Sequence, residues 1–193
     1  MAPGDRESYL EPGRTCGTCT VCCVIPAIDT PELQKTTSVA CVHCKEGSGC
    51  RIYDTRPPGC REYYCYWRYK TNLNDSWRPD LSGVYINALD EPAPEGYGGP
   101  PVELRILWPS VLEWPPFTDV VAEFVRLNIA VYLSIPGPEG HNPVRTILNP
   151  MVSEAVKRGD RLSMRHSYVE AMAHLLAHET QPVAFQYGAP NPV

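Results

Sequence analysis

Nine cysteines fall within residues 16–65, and none follows. They are Cys16, Cys19, Cys22, Cys23, Cys41, Cys44, Cys50, Cys60 and Cys65. The first four read C-x2-C-x2-C-C and the next three C-x2-C-x5-C. Thiolates two residues apart can turn toward one soft metal ion. This spacing commits the first third of the chain to short helices and loops that gather sulfur. Cysteine also packs as a small buried hydrophobe, but that role does not produce a repeated two-residue interval.

Geometry limits how the first run can be used. On a helix the ~100° step would bring Cys16, Cys19 and Cys23 within about 60° of one another, with Cys22 about 60° beyond Cys19. Adjacent Cys22 and Cys23 therefore aim apart, which suits two neighbouring metals, or one metal with a further thiol beside it. Gly17 equally permits a knuckle-like loop. In either form three thiols can meet one ion. Four ligands close a structural zinc site, so nine thiols allow two such sites with one left over, or one Fe–S cluster with several spare. C-x2-C-x2-C also occurs in cluster-binding chains. No proline directly follows any of these cysteines, so the C-P of the bacterial ferredoxin run is missing. Zinc and iron both stay open at this point.

The N-terminal MAPGDRESYLEPG is polar and lacks the apolar region of a secretory signal. No stretch approaches the ~18 apolar residues of a membrane span. The expectation is a cytoplasmic protein without a membrane partner, whose thiols stay reduced and bind metal rather than form disulfides. The odd number of cysteines points the same way. Residues 1–70 carry nine Lys and Arg against eight Asp and Glu, whereas the whole chain has a net charge of −5. That balance does not indicate a general nucleic-acid binder, although 41–70 is locally basic.

The second half of the cysteine-rich segment reads Gly49-Cys50-Arg51-Ile52-Tyr53-Asp54-Thr55-Arg56-Pro57-Pro58-Gly59-Cys60-Arg61-Glu62-Tyr63-Tyr64-Cys65-Tyr66-Trp67. Together with C-x2-C-x2-C-C, this run resembles the CxxCxxCC family of zinc- or iron-chelating proteins. The resemblance covers about residues 14–78, with Trp77-Arg78-Pro79-Asp80 at its end. It implies metal chelation by Cys16, Cys19, Cys22, Cys23, Cys50, Cys60 and Cys65, with Cys41 or Cys44 as the eighth ligand. It implies no settled activity. Some members look like parts of larger enzymes with cluster-type sites, which keeps iron in view. Arg56 and Arg61 lie inside the motif, where guanidinium groups would offset thiolate charge.

Weaker signals have plainer readings. His43 sits between Cys41 and Cys44, where the central residues of a knuckle usually point outward. Glu170, His174 and His178 share one side of a predicted helix, but without the inner Glu of H-E-x-x-H they read as a solvated face. Tyr63, Tyr64, Tyr66, Trp67 and Tyr69 interleave with Arg61, Arg68 and Lys70. Such a pattern can hold single-stranded nucleic acid, but packing around a module with few aliphatics is the better expectation. No G-x-S-x-G, P-loop or G-x-G-x-x-G is present.

Thr30-Pro31-Glu32 reads as the start of a short helix ending near Lys35. Beyond residue 82, 83–89 and 102–108 alternate as strands, separated by the Pro/Gly-rich loop 91–101. A helix is predicted over 115–130, a strand over 130–135, a helix from Asn149-Pro150 ended by Gly159, and a last helix capped by Ser167 and running to about His178. The expected fold class is α+β: a flexible leader over 1–13, a Cys-rich metal module of short helices and loops over 14–80, and a small α+β unit over 81–193. The expected function is chelation of zinc, or of iron, by clustered thiolates. The alternatives are an iron–sulfur or iron-dependent redox enzyme or electron carrier, and a zinc-stapled module for nucleic-acid or protein interaction.

Overall fold

The computed structural model describes residues 9–45 and 47–187. It is a mixed α+β fold that separates into two units, divided between Ser82 and Gly83. The first unit also takes in Pro136–Asn142 and the described residues from Thr180 onward, stretches that the sequence groups with the second. Residues 1–8 of the expected leader lie outside the described residues. At its far end, Glu11 N donates to Arg68 O at 2.9 Å.

The first unit is built of very short pieces, because Pro, Gly and Cys interrupt every apolar run. Its helices are α1 (Val21–Val24), α2 (Pro58–Glu62) and α3 (Pro79–Ser82), with single 3₁₀ turns at 53–55, 66–68 and 75–77. Two hairpins join β1 (Ile28–Asp29) to β2 (Gln34–Lys35), and β3 (Cys44–Lys45) to β4 (Gly49–Cys50). The helix expected after Thr30 is instead the turn of the first hairpin. Leu33 N donates to Thr30 Oγ1 at 3.1 Å and to Thr30 O at 3.3 Å. A serviceable N-cap cannot offset helix nucleation when only a few residues follow it. Leu33, Tyr66, Trp67, Leu73 and Trp77 form the buried apolar part.

Buried cations supply much of the remaining cohesion. Lys35 is only 5% exposed, and its Nζ donates to the carbonyls of Val24, Pro26 and Thr36 at 2.8, 2.6 and 2.8 Å. Arg14 donates to Trp67 O at 2.6 Å, to Lys70 O at 2.7 Å and to Leu73 O. Backbone carbonyls that no ladder satisfies are thereby paired. The discontinuous segments are tied in as well: Thr37 Oγ1 donates to His141 O at 2.6 Å, and Val183 N to Gly140 O at 2.8 Å.

The second unit has a four-stranded sheet in the order β5 (Val84–Ala88), β6 (Val102–Ile106), β7 (Val131–Ile135) and β8 (Val144–Ile147). β5 runs antiparallel to β6, β6 parallel to β7, and β7 antiparallel to β8. The parallel pair needs a crossover, which α4 (Pro115–Arg126) supplies. α5 (Asn149–Arg158) and α6 (Arg161–Leu176) follow β8. Alternation puts Val84, Ile86, Val102, Leu104, Ile106, Val131 and Leu133 on one face of the sheet, all buried. Tyr85, Glu103, Arg105, Tyr132 and Ser134 share the other face. There Arg105 Nη2 reaches Glu103 Oε1 and Oε2 at 3.0 and 2.8 Å, both residues being buried.

Local chemistry explains the boundaries. Asn149 opens α5 and fastens it to the sheet, accepting from Val131 N at 2.7 Å and donating to Ile129 O at 2.8 Å. Gly159, at φ 67°, closes α5 in the left-handed region. Asp160 rather than Ser167 caps α6, accepting from Ser163 N at 3.0 Å. Ser167 lies within that helix and donates to Met151 O. The helix predicted over 115–130 stops at Arg126, leaving Leu127 60% exposed. β8 was not expected from the pattern, so the sheet has four strands rather than two or three.

Candidate metal centre

The backbone first brings the two cysteine runs together. Cys16–Cys19 forms a loop rather than a helix: Gly17 stands at φ 53°, and Cys19 N donates to Cys16 O at 2.9 Å. The one-turn α1 then carries Cys22 and Cys23. Cys41 N donates to Cys23 O at 2.9 Å, so the later run starts against the end of the first. Cys44 N donates to Cys41 O at 2.8 Å, and Cys44 pairs with Cys50 across the second hairpin. Gly49 is required here: at φ 85°, a Cβ would lie 2.7 Å from Gly17 O. α2 carries Cys60, whose carbonyl accepts from Arg56 Nη1 at 3.4 Å. Cys65 precedes the 3₁₀ turn at 66–68.

The electrostatic neighbours of each thiol fall into two groups. Cys22 and Cys65 both feel the charge of Cys16, Cys22 feels Cys65, and Cys65 feels Cys19. Cys44, Cys50 and Cys60 feel Cys23 and Cys41. The first group is thus Cys16, Cys19, Cys22 and Cys65, and the second is Cys23, Cys41, Cys44, Cys50 and Cys60, with Cys22 in both because it feels Cys23 more than Cys16 or Cys65. They meet at the Cys22–Cys23 bond, where the Cys22 thiol donates to Cys23. Cys44 makes a second thiol hydrogen bond to Cys23.

Cations stand beside both groups, and Lys35 faces Cys22 as well as Cys23, Cys41 and Cys44. Arg68 Nη1 donates to Cys16 Sγ at 3.3 Å and to Tyr53 OH at 3.1 Å. Lys35 and Arg56 act on Cys23, and Arg56 also lies 3.8 Å above the Tyr53 ring. Main-chain amides aim at sulfur in both groups: Val21 N–H at Cys19, Arg68 N–H at Cys65, Ile52 N–H at Cys50, and His43 N at Cys41 Sγ at 3.5 Å. Such donors favour the thiolate, the form that binds metal.

The proton affinities diverge accordingly. The hydrogen bond from Cys22 holds Cys23 down at about 6 against its burial, with Cys44, Lys35 and Arg56 assisting. The same bond, with burial, pushes Cys22 well above the usual thiol value. Burial pushes Cys19 up to about 11. Burial and the Cys16 charge push Cys65 up to about 12. Burial pulls Lys35 down to about 8, opposed by the thiolate charges of Cys41 and Cys23.

All nine cysteines are free thiols. Among the described residues, no group of three or more His, Cys, Asp or Glu side chains is already set to hold a metal ion. The donor chemistry suits a soft cation, and the two runs lie together at the Cys41 N to Cys23 O bond. No protein-family model, curated protein or solved structure matches this chain.

Other residues singled out from the sequence are placed plainly. Arg56 stands beside the thiols as expected. Arg61 is exposed on α2, and Arg68 and Lys35 take the part expected of it. The His43 carbonyl accepts from Arg51 N at 2.9 Å. Tyr66, Trp67 and Arg68 are buried, and Tyr66 packs on Tyr69 with ring centroids 5.1 Å apart, so packing claims these aromatics. Glu170, His174 and His178 are exposed, the two imidazoles 4.2 Å apart. No described helix is long and apolar enough to cross a membrane.

Proposed function

We propose that this protein chelates metal, zinc foremost and iron as the alternative ion, through the thiolates of its first unit. The observation that carries this reading is the interleaving of the two cysteine runs: Cys23 lies with Cys41 and Cys44, and Cys22 with Cys65. A chain that used its cysteines only as small hydrophobes would have no reason to surround them with Arg68, Lys35, Arg56 and sulfur-directed amides. The resemblance of 14–78 to the CxxCxxCC family supports the same reading. A bound ion would cross-link segments that share little apolar surface, and structural zinc contributes on the order of 10 kcal/mol per site to folding.

The protein's own groups prepare the donors. Arg68, Lys35 and Arg56 offset charge, because zinc held by four thiolates carries a net −2. Cys23 is already largely ionised at neutral pH, whereas Cys19, Cys22 and Cys65 must release protons when metal enters. The test is elemental analysis with a visible spectrum on anaerobically purified full chain. Stoichiometric zinc and a colourless solution are expected. A brown protein absorbing near ~400 nm would replace zinc with an Fe–S cluster, and absence of any metal would defeat the proposal.

A further inference from the structure

The second hairpin of the first unit sets two of the thiols opposite each other by backbone register alone. Cys44 pairs with Cys50 across β3 and β4, and the next pair toward the turn is Lys45 with Gly49. Arg51 N donates to His43 O at 2.9 Å, whereas Cys44 N donates away from β4, to Cys41 O at 2.8 Å. The two cysteines therefore occupy a non-hydrogen-bonded position of the antiparallel ladder. There the Cα atoms stand about 4.5 Å apart and the side chains leave on the same face. A disulfide spans Cα separations of about 4.4–6.8 Å. We propose that Cys44 and Cys50 are an oxidisable pair, which a low-molecular-weight disulfide converts to a reversible cross-strand bond.

Neighbouring thiols are less well placed. Cys22 and Cys23 are joined by a trans peptide, which holds their Cα atoms about 3.8 Å apart, short of the disulfide range. Cys23 shares a thiol hydrogen bond with Cys44, but no strand register sets its backbone opposite that residue; its carbonyl accepts from Cys41 N instead. Access favours the hairpin too. Cys44 and Cys50 are half-buried, and Lys45, Gly47, Ser48 and Arg51 around them are exposed, whereas Cys19 and Cys41 are buried.

The chemistry is thiol–disulfide exchange. One cysteine, as thiolate, attacks a sulfur of the small disulfide. A bond to the protein sulfur forms, the S–S bond of the reagent breaks, and one small thiolate leaves. The second cysteine, as thiolate, attacks the protein sulfur of this mixed disulfide and expels the second small thiolate. Two electrons pass to the reagent, and the two protons of the cysteines go to the leaving thiolates. Excess small thiol runs the sequence backwards. The pairing does not rest on metal binding; should the same thiols hold an ion, closing the bond withdraws two donors in one event.

The test uses anaerobically purified full chain incubated with oxidised glutathione. Free thiols are alkylated at intervals and the linkages read by mass spectrometry. Trypsin cuts after Lys45, between the two cysteines, so the bond appears as two joined peptides, and fragmentation separates Cys44 from Cys41. Cys44–Cys50 should be the first intramolecular bond to form, while the remaining cysteines are still alkylated, and reduced glutathione in excess should reopen it. In urea that preference should vanish. Cys50→Ser should lose the bond and leave Cys44 as the mixed disulfide. A first bond between Cys23 and Cys44 or any other pair, no intramolecular bond at all, or a preference that persists unchanged in urea would overturn the assignment. The wild-type linkages decide it even if the variant fails to fold.

Discussion

The sheet-bearing unit leaves Leu104, Leu133, Phe117 and Tyr168 with no exposed surface, whereas seven of the nine cysteines in the other unit are only half-buried. One unit is held by apolar burial, worth about 25 cal/mol per Å². The other is held by Lys35 and Arg14 pairing backbone carbonyls and by short hairpins. The contrast shows how a chain can assign two sources of cohesion to two regions: aliphatic residues where the elements are long enough to have faces, and cations bonded to backbone carbonyls where they are not.

The strongest way to break this comparison is to remove metal from the reduced full chain with a competing chelator. Loss on the order of 10 kcal/mol per site is expected in the cysteine-bearing unit. Amides of 16–65 should then exchange rapidly with deuterium, while those of β5, β6 and β7 stay protected. Equal protection everywhere after complete removal would erase the distinction. The converse test is Leu133→Ala, which opens a cavity at a fully buried position. A cost of about 3–5 kcal/mol is expected by denaturant titration, with zinc content unchanged. Gly49→Ala is a smaller probe confined to the sulfur-rich unit. Its Cβ would meet Gly17 O at 2.7 Å, and its φ is 85°, so about 2–3 kcal/mol should be lost, together with a weakened grip on zinc.

What could be read from the sequence follows the range of the physics involved. The bracket of Asn149-Pro150 and Gly159 around α5 was legible because caps act within a turn, and the strands over 83–89 and 102–108 showed their alternation directly. β8 was not legible: Val144–Ile147 is four residues long with Arg145 and Thr146 inside it, and it exists through its pairing with β7. The hairpin at Thr30 was misread because a cap residue serves a turn as readily as a helix. In the candidate site, helix geometry alone would aim Cys22 and Cys23 apart, yet the two thiols hydrogen-bond to each other. The presence of Lys35 could not be derived, since it lies outside both cysteine runs and arrives through the β1–β2 hairpin. Arg68 carried the signal of a basic residue among aromatics, yet nothing local distinguished it from Arg61.

The sulfur-bearing unit is not contiguous, and this has a consequence for how it is made. Asn142 N bonds to Gln181 O at 2.7 Å, Val183 N to Gly140 O at 2.8 Å, and Gln186 N to Asp29 Oδ2 at 2.6 Å. Ribosomes add about 5–20 residues per second. About 6 to 24 seconds must therefore pass between synthesis of Cys65 and synthesis of the segment that completes its unit. Throughout that interval the sheet can assemble while the thiols wait on an unfinished scaffold, open to oxidation.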